Sequence, residues 1–156
     1  FCLSRGLGDV YKRQLMISAR PTKKIQPPSE LELNAPKLVK QDIEFFVRQQ
    51  AERVKVWKRE IESLKQNGRR AVVWGSGSKG VAFLTALGLG DEIEYVVDIN
   101  PFRQGKFMAG TGQEIVSPAF LADYKPDVAI AMNPIYRTEI QADLRQMGLN
   151  TSVEAV

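Results

Sequence analysis

The sequence predicts an α/β fold: a mostly parallel sheet of strand order 3-2-1-4-5, flanked by helices and preceded by a long N-terminal helix. Three observations predict it. From Arg70 onward, short apolar runs alternate with helical periods, the pattern of parallel strands joined by crossover helices. One such run, Ala71–Trp74, enters a glycine-rich turn and leaves as an apolar helix. The 156 residues, 44% of them apolar, suffice for one domain with a buried core.

The elements follow in order. Residues 1–14, "FCLSRGLGDVYKRQ", have no initiator Met and no period, and they read as a non-native tail or a natural one. Leu15–Pro21, "LMISARP", reads as a short strand ended by proline, followed by a Pro-rich polar linker to residue 34. A strand needs neighbours. Residues 15–34 are therefore expected to be the end of a preceding domain plus a linker. Pro36–Gln66 reads as a helix, with Pro36 in its first turn and Asn67-Gly68 as its stop. Its apolar residues Val39, Ile43, Phe46, Val47, Val54, Trp57, Ile61 and Leu64 recur at helical spacing. Two readings stand for it: a connector with one end on the core, or an amphipathic core helix.

Ala71–Trp74 is the first strand of the sheet, Ser78–Leu87 a helix, Ile93–Asp98 the second strand and Glu114–Val116 the third. Ser117 is expected to cap a short helix that opens with Pro118 and runs to about Asp123. Val128–Met132 is the fourth strand, Tyr136–Met147 a helix closed by Gly148, and Leu149–Val153 an edge strand.

Composition removes several chemistries. There is no histidine and one cysteine, Cys2, so a Ser-His-Asp triad, a Cys-His dyad and His- or Cys-based zinc sites are excluded. No metal site is expected. No apolar run approaches the roughly 20 residues that span a bilayer, and a cytoplasmic setting is the expectation. The formal charge is +4, but residues 1–24 hold six of the 22 basic residues and one of the 18 acids. The body is near neutral and shows no basic stripe with aromatics. No nucleic-acid or membrane partner is expected.

Gly75-Ser76-Gly77-Ser78-Lys79-Gly80 fits G-x-G-x-x-G between a strand and a helix, the context of a Rossmann-like phosphate turn. Gly75 would permit the tight turn, Gly77 the approach of a phosphate to backbone N–H groups, and Gly80 close packing. The helix N-terminus favours an anion, and Ser76, Ser78 and Lys79 add donors. The other reading is glycines kept for packing alone. Asp98, 18 residues past Gly80, either grips a ribose hydroxyl or forms a turn with Asn100-Pro101. In order 3-2-1-4-5 the loop after the fourth strand lies beside the glycine turn, which would bring Asn133 and Tyr136 to face it; a plain helix start is the alternative. The loop Asn100–Gln113, with Arg103, Gln104, Lys106 and Thr111, is either a lid or a solvated loop. Val73 stands where a methyl-donor site would have an acid, two residues before the first glycine, so no such site is expected in this turn. No acid–base pair for hydride transfer is evident, and no catalytic residue is assigned.

"AVVWGSGSKGVAFL", "YVVDINPFRQGKFMAGTGQEIVSP" and "DVAIAMNPIY" together resemble the C-terminal domain of S-adenosylmethionine (SAM)-dependent sugar C-methyltransferases, from about Ala35 to the C-terminus. The resemblance implies that residues 35–156 are a Rossmann-like domain that helps hold a nucleotide-linked keto-sugar, and that "LMISARP" ends a preceding SAM domain. It implies that SAM, the base that removes the proton next to the ketone, and the zinc ligands lie upstream, with no cofactor bound by this chain. The ligand contacts it carries over are Gly75–Gly80, with Asp98, Asn100, Asn133 and Tyr136. The partners are then a nucleotide-sugar or other phosphorylated acceptor and the upstream SAM domain. Two alternatives stand beside it: an NAD-dependent oxidoreductase domain, and a degenerate Rossmann module used for domain contacts.

Overall fold

The structure is a computed structural model that describes residues 5–7, 16–18, 27 and 29–156. The chain divides into two compact units, Phe1–Phe46 and Val47–Val156. In the first, β1 (Arg5–Leu7) pairs antiparallel with β2 (Met16–Ser18), with Gly6 opposite Ile17. The strand expected within Leu15–Pro21 is thus present at Met16–Ser18, and it finds a partner in the stretch read as a tail. The remainder of the tail and residues 22–26 and 28 of the linker lie outside the described residues; residues 30–34, read as linker, are helical instead.

Helix α1 (Glu30–Gln66) begins six residues before the expected Pro36, which sits inside it. The start signal lies further upstream. Ser29, followed three residues later by Glu32, has the sequence of a capping box, and the Leu33 N–H donates to the Ser29 carbonyl at 3.0 Å. Pro36, in the second turn, has no N–H and so forfeits one helical hydrogen bond. The helix ends as its sequence predicts. Gly68 is left-handed (φ 68°), and Arg69 and Gly68 donate to Leu64 and Lys65 at 2.9 Å each, a Schellman closure.

The second unit holds a parallel sheet of β3 (Ala71–Trp74), β4 (Tyr95–Val97), β5 (Glu114–Val116), β6 (Val128–Ala131) and β7 (Ser152–Ala155) in the order β5-β4-β3-β6-β7. Counted from β3 this is 3-2-1-4-5, as the alternation of elements predicts. Val72 and Val73 point to opposite faces and both are fully buried, so each face must be covered. Ile61 and Leu64 of α1 and Leu84 and Leu87 of α2 (Ser78–Leu87) cover one face. Leu121 of α3 (Leu121–Tyr124) and Ile140 and Leu144 of α4 (Arg137–Gln146) cover the other. Among the described residues, the core takes α1 residues from Val54 onward; Val39, Ile43, Phe46 and Val47 are each more than half exposed.

Several boundaries differ from the sequence expectation. The second strand spans Tyr95–Val97 rather than Ile93–Asp98, and the fourth ends at Ala131 rather than Met132. The last strand starts at Ser152 rather than Leu149, because Gly148 (φ 75°) closes α4 and the Leu149 N–H donates to Leu144. A 3₁₀ turn, Pro134–Tyr136, precedes α4, so the helix starts at Arg137. Another 3₁₀ turn, Pro118–Phe120, precedes α3, and Ser117 stands at its cap position without a side-chain cap bond.

Candidate functional site

Trp74, the last residue of β3, pairs with Val97 of β4 on one side and Ala131 of β6 on the other. The chains leaving these strands emerge together at the C-terminal edge, where the strand order reverses. That reversal is where open α/β sheets leave a crevice.

The glycine turn is held by the geometry its sequence suggests. Gly75 has φ +120°, a region that favours glycine, and a Cβ there would lie 3.3 Å from Met132 Cβ. Gly80 has the tighter constraint: a Cβ would lie 2.2 Å from the Gly75 carbonyl oxygen, a distance no side chain accepts. Gly77 is ordinary extended backbone at φ −74°, and a Cβ there would meet Arg103 Nη1 at 3.6 Å. Two of these glycines therefore serve the packing of the turn itself.

Two amides of the turn are satisfied internally. The Gly75 N–H donates to the Val97 carbonyl at 2.8 Å, and the Ser76 N–H to Asp98 Oδ2 at 3.1 Å. Gly77, the cap of α2, offers no side chain to the first turn. Among the described residues nothing accepts from the N–H groups of Gly77, Ser78, Lys79 or Gly80; the first helical bond is Val81 to Gly77 at 3.1 Å. These unfilled donors lie at the positive end of the α2 dipole, with Ser78 and Lys79 exposed and Gly80 buried.

Asp98 and Ser76 are buried beside this row. Asp98 Oδ2 also accepts a short hydrogen bond from the Ser76 hydroxyl, and Arg103 Nη1 lies 3.3 Å from both oxygens. Asp98 Oδ1 accepts from the Asn100 N–H at 2.9 Å. Burial pushes the Asp98 carboxyl up. The Ser76 hydroxyl, the Asn100 and Ser76 amides and the Arg103 charge outweigh it and hold the group below its ordinary value. Gln104 Nε2 donates to the Asp98 carbonyl at 2.9 Å, so the start of the Asn100–Gln113 loop folds back on the acid.

The structure gives the sequence-named residues different places. Gly75, Ser76, Gly77, Gly80 and Asp98 are brought together with Arg103 as one braced turn. Asn100 supports it by accepting the Phe102 N–H at 3.0 Å, which makes it a loop former. Ser78 is exposed at the start of α2, and Lys79 lines a groove between α1 and α2. Asn133 follows Met132, which touches the turn; its Oδ1 receives the Ile135 N–H at 3.5 Å, the helix-start role. Tyr136 is 52% exposed, on the 3₁₀ turn before α4. Arg103 is the residue whose role sequence reasoning missed. Its only sequence signal is a cation five residues past a candidate acid.

The fold and this turn define a Rossmann-like domain. The chain belongs to the C-methyltransferase C-terminal domain family, whose model matches residues 20–152. It is similar to the C-methyltransferase NovU of Streptomyces niveus, 34% identical over 91 residues, which are 57% of this chain and 22% of that protein. The chain therefore aligns with about a fifth of that relative's length. Among solved structures it is similar to UDP-D-quinovosamine 4-dehydrogenase from Vibrio fischeri, with 16% identity and a TM-score of 0.45 over 56% of this chain and 77% of that one. It is also similar to RSP, a Rex-family repressor, with 13% identity and a TM-score of 0.43 over 70% and 87% of the two chains. Likenesses this distant carry no argument about ligands.

Proposed function

We propose that this chain is the acceptor-positioning domain of a SAM-dependent C-methyltransferase, and that it holds a nucleotide-linked keto-sugar by its diphosphate. The observation that carries the reading is the row of amides at Gly77, Ser78, Lys79 and Gly80, unfilled at a helix start that has no side-chain cap. Backbone donors on a helix N-terminus suit a phosphate group. Family membership supports the methyl-transfer context.

This chain's residues do not fit SAM at the glycine turn: Val73 is a buried apolar residue where the donor's acid would be, and Asp98 is engaged by Ser76, Asn100 and Arg103. SAM, bound elsewhere in the whole protein, supplies an electrophilic methyl group. The work of this chain is to fix the diphosphate, so that the acceptor carbon sits at the right distance and angle. The same engagement of Asp98 weakens the NAD alternative, because the acid expected on a ribose hydroxyl already braces the turn.

The test is an amide NMR titration of this chain with thymidine diphosphate. Signals of Gly77–Gly80 should shift and saturate, and those of Gly75 and Ser76 should move less. Silence across the turn would refute the reading and favour a module used only for domain contacts. The chain alone is expected to transfer no methyl group from SAM.

A further inference from the structure

A groove of about 390 Å³ lies between α1 and α2. Its volume is that of a small-molecule site. Val54 and Trp57 of α1, Phe83 of α2 and Met132 line it. Trp57 and Phe83 meet edge to face at 5.6 Å, and both are half-buried. The groove exists because α2 presents Ala82 and Ala86 to α1, where larger side chains would fill the seam. Its charged side chains are Arg53 and Lys79, with no acidic side chain among the lining residues. Neither cation has an ion-pair partner among the described residues.

The groove joins the glycine turn at two residues. Lys79 is the second residue of α2, beside the unfilled amides, and Met132 both lines the groove and packs on Gly75. A ligand with its phosphates on those amides can therefore extend into an apolar, aromatic-walled slot past two cations. We infer that the groove holds the heteroaromatic base of that ligand, with Arg53 and Lys79 balancing the diphosphate at its mouth; this rests on the reading proposed above. A flat ring uses the aromatic walls. Its polar edge has a matching amide in Gln50, which also lines the groove and which an aliphatic tail would leave unused.

One NMR titration separates this inference from the reading beneath it, because the Trp57 indole N–H and the Ser78–Gly80 amides appear in the same spectrum. Thymidine diphosphate should shift both. Inorganic pyrophosphate should shift the amides and leave the Trp57 indole in place. Ala86→Phe, which fills the groove from an exposed position, should weaken thymidine diphosphate at least tenfold and leave pyrophosphate affinity within twofold; Arg53→Gln serves as a second variant if Ala86→Phe unfolds the chain, and should weaken thymidine diphosphate more than threefold. If both ligands shift the amides while the indole stays still and the variants bind normally, the groove assignment is wrong and the diphosphate reading survives. If the amides never move, both fall. If geranyl diphosphate shifts the indole and binds more tightly than thymidine diphosphate, the groove takes an aliphatic tail and the base assignment is overturned.

Discussion

Asp98 and Arg103 form an ion pair, but the two halves of the cluster differ in worth. Arg103 is half in water, and exposed ion pairs contribute little. The Ser76 hydrogen bonds are buried, and a carboxylate acceptor strengthens them. Arg103→Ala should therefore cost less than about 1 kcal/mol in denaturant unfolding. Asp98→Asn should cost about 1–3 kcal/mol at pH 7. The pH dependence has a definite sign. The folded Asp98 carboxyl lies below its ordinary value, so its contribution is complete above the unfolded value of about 3.9 and is lost as pH falls through the folded one. Asp98→Asn should accordingly flatten the acid limb of the stability curve; an unchanged limb would show that the cluster does not hold the charge. At Gly80 the expectation is steric. Gly80→Ala drives a Cβ into the Gly75 carbonyl and should destabilise the fold by about 1–3 kcal/mol, read by thermal or denaturant unfolding. The glycines were legible because a fingerprint states where they fall. The role of Asp98 was not, since a ribose grip and a turn brace need the same residue at the same position. Only the return of the loop at Arg103 and Gln104 separates them.

At the scale of elements, α1 and β7 meet with a mismatch. Burial raises the Glu154 carboxyl, and Glu60 of α1 raises it further by charge and hydrogen bonding; Arg69 and Arg137 offset part of this. A carboxyl raised in the folded state opposes folding once it is charged. Glu154→Gln should therefore raise the unfolding temperature at pH 7, and the gain should disappear below the unfolded value of about 4.3. A gain that persists in acid would place its cause elsewhere. The two helix stops at Gly68 and Gly148 were legible, because a glycine after the last apolar repeat has one common use. The start of α1 was misread because Pro36 is a strong N-terminal signal; the helix instead begins after Ser29, whose carbonyl accepts the Leu33 N–H.

For the whole molecule, the apolar core draws, among the described residues, on nothing before Val54. A chain beginning at Val47 should unfold at the same denaturant midpoint as the full chain, because the compact unit Val47–Val156 keeps every core residue. A lower midpoint would show that residues 1–46 brace the sheet. Among the described residues no helix is long and apolar enough to cross a membrane. The parallel sheet and its strand order could be read in advance, since alternating strands and helices leave few right-handed, unknotted arrangements. The apolar period of α1 was equally visible, but not where its cover ends. Val39 and Ile61 look alike in a periodic pattern, and one is 54% exposed while the other is wholly buried. From the sequence alone come the strands of the parallel sheet, the glycine turn and the absence of histidine chemistry, all consequences of local spacing and residue type. Tertiary structure alone decided which amides stay open, what Asp98 braces and that a groove separates α1 from α2, because each depends on residues far apart in the chain meeting at one place.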